Sequence, residues 1–449
     1  MGQFVVKSLR EPILAAVGIM SQEPFVPHRR NLPIMTGQGA LAVMAWSMAS
    51  PAIVLTFLAV SLDLPVFLAG LLVTIRHAAG TLSDMFLAQS IARLPKKKAA
   101  IARTDLAVAV CFLLVILAVV YGTRPMVIAA FVVGIFVIGV LEEIKSLMII
   151  DFISDNLPSK ERMRISYTQK ALGGAATIAI ALLLHQLFQD APALTRHSMV
   201  IGLGATCFIL SAVFIMTVQE RPPDRTVNTA SSAISRLDAI KEYWREAKAL
   251  LGESWFRRYV LIRLAFVLAG LSVPFYALLA AEAHHKSAQG LTALVVSSAA
   301  ALLVAAPLWR ALSSYSNRAV MLSGASMVAV TGAGLVAIHH WGIDHSVHLH
   351  AVALFVVTIA VTGLGSARGL YFMDVAPKSQ RIAAQAISQT LVRLAIVTIS
   401  AALAAIAHMN EIVWAVATIT AGSLLAVVAI LSFVEPSQPK NAQNKENAT

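Results

Sequence analysis

Glu142, Glu143 and Lys145 lie in Gly139-Val140-Leu141-Glu142-Glu143-Ile144-Lys145, two carboxylates and an ammonium inside an apolar run that opens at Val127. A helix rises about 1.5 Å per residue, which puts Glu142 roughly 20 Å from the outer end of that run. This depth falls within a hydrocarbon core about 30 Å thick. Ionisable groups there are costly, so they face a protein interior or a water-filled cavity and mark an ion or solute path. Desolvation raises a carboxylate toward neutral pKa, which suits a group that must bind and release a proton in each cycle. Glu142 and Lys145 are three residues apart and share a helix face, whereas Glu143 points about 100° away. The expectation is a Glu142–Lys145 pair, with Glu143 as the free, proton-carrying carboxylate. The competing reading is a hydrated or structurally paired cluster near the end of a long helix.

Other ionisable residues interrupt apolar runs in the same way. Arg76 and His77 fall halfway along the 64–86 run, where an arginine implies a cavity-facing, anion-binding or salt-bridge role. Arg368, in Gly365-Ser366-Ala367-Arg368-Gly369, is suited to an anionic group or to an inner gate closed on a glutamate of the 125–150 run; snorkelling to the cytoplasm is the alternative. Arg263 and Arg393 lie near helix ends, and snorkelling is the reading for both. Of twelve histidines, only His28 and His77 fall away from the outer face. His339, His340, His345, His348 and His350 cluster in one stretch, close enough to form a transition-metal set. A sensor of outer-side pH and ordinary interfacial histidine stand beside that reading.

The elements that position these residues follow from composition. The chain has 449 residues, 58% hydrophobic and only 13% charged, and a mean hydropathy of +0.76. A soluble domain averages nearer 25% charged, so this is a polytopic membrane protein. A net charge of +12 raises nucleic acid as a partner, but the charges sit between apolar runs and argue against it. Cys111 and Cys207 lie in mid-span and read as small buried hydrophobes. A cleaved signal peptide is not expected, since Arg29 and Arg30 follow the short apolar stretch 13–20 without a small-residue cleavage pattern.

Spanning runs occur at 36–60, 64–86, 106–121, 125–150, 171–187 and 199–218, and again at 259–281, 291–309, 320–338, 350–371, 387–407 and 412–434. The expected organisation is an N-terminal segment 1–35, a six-helix bundle 36–218, a linker 219–257, a second six-helix bundle 258–434 and a tail 435–449. Lys and Arg crowd the connections of one side, including Lys96, Lys97, Lys98, Lys160, Arg162, Arg310, Arg318, Lys378 and Arg381, while the other side receives only Arg124, Arg196 and Lys286. The positive-inside rule then places both termini and the linker in the cytoplasm, the chain being a multi-pass inner (cell) membrane protein. Pro158-Ser159-Lys160-Glu161-Arg162 and Pro377-Lys378-Ser379-Gln380-Arg381 echo each other, each three residues after an aspartate (Asp155, Asp374), which indicates parallel repeats. Within the linker, 234–251 has an amphipathic pattern through Ile234, Leu237, Ile240, Ala247 and Leu251, read as a surface helix.

On the six-plus-six plan, the basic connection after the second span and the Asp-x-x-Pro-x-x-x-Arg repeats, residues from about 36 to 436 resemble the major facilitator superfamily (MFS) of transporters. Gly80-Thr81-Leu82-Ser83-Asp84 matches the opening of its Gly-x-Leu-x-Asp-Arg-x-Gly-Arg-Arg signature, although Met85-Phe86 follow. The stretch from Pro307 to Arg318 resembles the same signature, with Arg310 and Ser314 in place of its glycine and aspartate. The Gly-Pro pattern of drug/proton antiporters and the sugar-porter signature are absent, which disfavours those branches. The resemblance implies twelve transmembrane helices in two bundles, with the first, fourth, seventh and tenth spans lining a central cavity. Glu142, Glu143 and Lys145 would then lie near the substrate path, and Trp46, Ser47, Ser50 and Tyr276 become either substrate contacts or helix-packing residues.

The functional expectation is a secondary transporter of a small solute working by alternating access, proton-coupled and monomeric, with lipids as its surroundings and no nucleic acid. Two alternatives stand beside it: an iron, zinc or metal-chelate transporter using the outer histidines, and a non-transporting membrane scaffold or sensor. No nucleotide-binding, cofactor or nucleophile-and-base motif stands out, so no cofactor and no enzymatic activity are expected.

Overall fold

The computed structural model describes residues 28–92, 94, 97–156, 159–220, 236–287, 289–313, 315–343, 346–377 and 380–432. Within them the chain is helical throughout. The first half runs α1 (His28–Met48), α2 (Val54–Ser61), α3 (Val66–Ala92), α4 (Lys98–Tyr121), α5 (Arg124–Asn156), α6 (Ser159–Phe188) and α7 (Ala193–Met216). A connecting helix α8 (Arg236–Gly252) leads to α9 (Ser254–Gly270), α10 (Ser272–His284), α11 (Gly290–Ser313), α12 (Asn317–His340), α13 (Val347–Val375), α14 (Arg381–Met409) and α15 (Ile412–Ser432). Eleven helical segments are long and apolar enough to cross a membrane, with α9 and α10 together making one of them. The broken pair α1–α2 supplies a further crossing. Below, the near face is the one where α1 begins and α15 ends, and the far face is its opposite.

The continuous spans expected at 36–60 and 259–281 are each interrupted. The first breaks at 49–53, where Pro51 withholds a backbone donor and disfavours helix at Ser50. There the Ser50 carbonyl gathers the amides of Ile53, Val54 and Leu55 at 3.3, 2.8 and 3.1 Å. The second breaks at Leu271, with Pro274 in the first turn of α10, where its missing N–H is tolerated. The two halves thus share a broken first crossing. Of the repeated motifs, Pro158, Lys378 and Ser379 fall outside the described residues, as do most of the N-terminal segment and the tail.

Apolar faces decide the packing. Leu113, Leu114, Leu117, Leu182, Leu183 and Leu425 are exposed on the outer surface, as helices surrounded by hydrocarbon require. The two bundles meet through α3 on α14 and α6 on α11, and through α2 on α10 at the far side. Gly70 permits the first contact: a Cβ there would stand 2.8 Å from Ala404 Cβ. Thr74 Oγ1 and Ser400 Oγ, 2.7 Å apart, tie the same pair of helices one turn deeper. On the far side one apolar core joins both halves, with Phe57, Leu58 and Leu72 alongside Phe275 and Tyr276. On the near side the halves keep separate clusters, one around Met35, Ile101 and Phe152 and one around Phe256, Tyr259, Phe372 and Ile387. The apolar core is therefore shared by both halves at the far side and divided between them at the near side.

Helix α8 docks on the second of these near-side clusters, burying Ala247 and Leu250. Ala247 takes its expected place in the apolar stripe, whereas Leu251 is 40% exposed and Leu250 faces inward in its stead.

Candidate functional site

The central site is built on α5. At 33 residues it is about 50 Å long, more than the hydrocarbon core requires. Glu142 and Glu143 therefore sit well inside it, about 20 Å from its near end. Gly139, one turn earlier, brings α3 against α5: a Cβ there would lie 2.6 Å from the Arg76 carbonyl oxygen. This close approach places Arg76 of α3 opposite Glu142.

Arg76 and Glu142 form a forked ion pair. Nε donates to Oε2 at 2.6 Å, and Nη2 donates to Oε1. The guanidinium also lies 5.5 Å from the Trp46 ring centroid. Trp46 is held edge-on by Phe208 and Phe112, at 5.1 and 6.5 Å between centroids, so it serves as a fixed platform under the cation. A planar fork matched to a carboxylate and resting on an aromatic face fixes both charges in orientation.

Glu143 is paired as well, by a residue of the other bundle. Arg393 Nη2 lies 2.7 Å from Glu143 Oε2, and Arg393 Nη1 donates to the Gly80 carbonyl at 3.2 Å. Lys145, in turn, pairs with Asp105 of α4, which is fully buried. Asp105 Oδ2 accepts from Ser211 Oγ at 2.9 Å, and Ser211 accepts from Gln38 Nε2 at 3.0 Å. A polar chain thus ties α5, α4, α7 and α1 together inside the first bundle.

These pairings correct the expected ones. Lys145 does not hold Glu142, because Asp105 on the neighbouring helix captures it. Glu143 is not free, because α14 delivers Arg393 to it. Arg393 and Arg263 do not snorkel: they are 8% and 7% exposed. Their helices begin at Arg381 and Ser254, so both lie about nine or more residues inside. Arg368 gates neither glutamate; its Nε donates to the Leu364 carbonyl at 3.2 Å. His77 is half-buried beside Arg76 on α3 and within electrostatic reach of Glu142 and Arg393. Tyr276 is buried, its hydroxyl donating to the Val328 carbonyl at 3.2 Å, which makes it a packing residue of α10. Ser47 bonds its own helix at the Val43 carbonyl, 2.9 Å away.

Sequence reasoning missed Asp105, Arg393 and Arg263 as central residues. Asp105 stood at the edge of an apolar run, and α4 begins seven residues earlier, at Lys98. That early start is the signal that would have placed it inside the bundle.

At the far face, His339 Nε2 lies 3.1 Å from Glu411 Oε2, and His284 Nε2 lies 3.1 Å from His350 Nδ1. A cavity of about 240 Å³ is lined by Glu282, His339, His350 and Glu411 among others. Among the described residues no three of His, Cys, Asp or Glu converge to hold a metal ion. The expected set of His339, His340, His345, His348 and His350 is divided: His339 closes α12 while His348 and His350 open α13, and His345 lies outside the described residues. Cys111 and Cys207 are unbridged thiols on α4 and α7.

Comparison with known proteins follows the same lines. The family model described as Major Facilitator Superfamily matches residues 264–449. The uncharacterized proteins Rv2209 of Mycobacterium tuberculosis and Mb2232 of Mycobacterium bovis are each 24% identical over 301 residues, covering 65% of this chain and 56% of theirs. The chain thus aligns with little more than half the length of these curated relatives. Among solved structures, a D-xylose-proton symporter superposes with a TM-score of 0.66 at 13% identity, over 90% of this chain and 98% of its own. The inward-open xylose transporter XylE from E. coli gives 0.66 at 13%, over 94% and 99%. The nucleoside transporter NupG gives 0.63 at 12%, over 89% and 98%. The family match lies in the second half of the chain, and the fold shared with these solved transporters extends over some nine-tenths of its length.

Proposed function

We propose that the chain is a secondary active transporter of a small solute, proton-coupled and working by alternating access in the cell (inner) membrane. The observation that carries this reading is the ion pair between Glu143 and Arg393, which joins the two bundles at membrane depth. A proton and a guanidinium compete for one carboxylate. Protonating Glu143 removes the charge that holds Arg393 and loosens the contact between α5 and α14. Releasing the proton restores it. Glu142, clamped by Arg76 over Trp46, keeps a fixed charge beside this exchange and helps to orient the site.

An apolar core shared by both halves at the far side and divided at the near side fits one of the two access states that such a cycle needs. The excess of Lys and Arg in near-side connections supports a cytoplasmic near face, with both termini there. The named activities of the structural neighbours, xylose–proton symport and nucleoside transport, are consistent with transport of a small polar solute. We place the protein as a monomer surrounded by lipid.

The test is uptake into proteoliposomes with an imposed pH gradient, screened over sugars, nucleosides, carboxylates and phosphate esters. Accumulation should collapse on adding a protonophore. Accumulation that persists would sink the coupling, and absence of any solute movement across the panel would sink the transport reading.

A further inference from the structure

Two guanidiniums of the second bundle stand outside the charge balance of the central site. Arg76, Arg393 and Lys145 each face a carboxylate. Arg263 of α9 and Arg368 of α13 face none among the described residues. Arg263 is buried about 13 Å along α9 from its near end. Its Nη1 donates to Ser388 Oγ at 2.8 Å and its Nη2 to Gln389 Oε1 at 2.7 Å, both neutral partners on α14. Its guanidinium carbon lies 5.7 Å from the Tyr259 ring centroid. Its buried Nε meets no acceptor.

Arg368 is the neighbour of this group. Tyr259 is within electrostatic reach of both arginines, Arg368 feels the charge of Arg263, and Arg263 feels that of Arg393. Neutral acceptors satisfy some donors but supply no opposing charge. Two like charges within electrostatic reach of each other, neither facing a carboxylate among the described residues, therefore raise the free energy of the empty site, and an anion lowers it. Arg393 faces the first bundle from α14, and Arg263 is held against the same helix through Ser388 and Gln389.

We propose that Arg263 and Arg368, with Tyr259, bind an anionic group, and that the transported solute carries the carboxylate or phosphate that docks there. This assignment rests on the transport reading above and narrows it to a substrate class. The planar five-donor guanidinium matches the oxygens of either group in a two-bond fork, which a lysine cannot do. Tyr259 supplies a hydroxyl and a ring face beside that fork. Gln389 Oε1 occupies one of the donors in the empty site and is the group an anion displaces.

The experiment is equilibrium binding to the purified full-length protein in detergent, by calorimetry and thermal shift, at constant ionic strength. Inorganic phosphate and succinate are the anion probes, and D-xylose is the neutral control. Saturable stabilisation by phosphate or succinate, weakened about tenfold or more by Arg263→Gln and by Arg368→Gln and untouched by the far-face Lys286→Gln, supports the site. Gln389→Ala, which releases Nη2, should tighten anion binding several-fold; unchanged or weaker binding overturns the proposal, and this variant decides if Arg263→Gln fails to fold. Anion binding that ignores both arginine substitutions also overturns it. So does stabilisation by phosphatidylglycerol bicelles with none by soluble anions, which would assign the arginines to a lipid headgroup. Binding is read without transport, so arginine-dependent anion binding in a protein that moves no solute would leave the site standing and remove the transport reading. Uptake of a neutral solute independent of Arg263 would do the reverse.

Discussion

Arg393 of α14 leaves its own bundle to close on Glu143 of α5, 2.7 Å away, and on the Gly80 carbonyl of α3 at 3.2 Å. A single side chain therefore reads two helices of the opposite bundle. Its energy depends on the charge of Glu143, and in a low-dielectric site that dependence is steep.

Glu143→Gln mimics the protonated carboxylate and should weaken the link between α5 and α14 while leaving the fold intact. Distances measured by electron spin resonance between labels at the near-side ends of α5 and α13 should shift toward longer values. In uptake assays the same variant should lose proton-driven accumulation at least tenfold while retaining solute exchange. An unchanged distance distribution would remove the pair from the cycle.

Arg76→Lys keeps the charge but loses the fork on Glu142 and the flat contact with Trp46. The two lost interactions are expected to cost about 1–2 kcal/mol, a roughly tenfold loss in uptake. Trp46→Leu should give a smaller loss. Equal activity of Arg76→Lys and the parent protein would reduce Arg76 to a charge with no orienting role.

Asp105→Asn leaves the Lys145 ammonium in the bundle without its carboxylate, and should destabilise the protein by about 3–5 kcal/mol. The combination Asp105→Asn with Lys145→Met removes both charges and should recover much of the loss. Denaturation midpoints in detergent measure both. Additive losses in the double variant would show that the pair does not act as a unit.

Gly139→Val puts a side chain where a Cβ already stands 2.6 Å from the Arg76 carbonyl. Separating α3 from α5 should cost about 1–3 kcal/mol and break the Arg76–Glu142 fork with it. The paired observation to seek is a lowered thermal midpoint together with the transport defect of Arg76→Lys. Gly334→Val, at a glycine whose Cβ would meet nothing within 4 Å, is the control and should be nearly neutral.

Composition and the lengths of the apolar runs were enough to determine a membrane protein of two helical sets, because burial in hydrocarbon is a one-dimensional property of a helical segment. Glu142, Glu143, Lys145 and Arg76 were legible as lying at membrane depth, since depth follows from counting along a helix. Their partners were not legible, because they come from elsewhere in the chain. Glu142 and Lys145 share a helix face, and local spacing favoured their pairing; Arg76 is 66 residues from Glu142 and Asp105 is 40 from Lys145. Glu143 and Arg393 belong to different bundles, so no periodicity relates them. Which charge neutralises which is a matter of packing: small residues such as Gly70 and Gly139 set how closely helices approach, and that approach selected the ion pairs. What the sequence alone determined was that costly charges lie inside the membrane; only the tertiary structure decided that Glu142, Glu143, Lys145 and Arg76 are each matched, and that Arg263 and Arg368 face no carboxylate among the described residues.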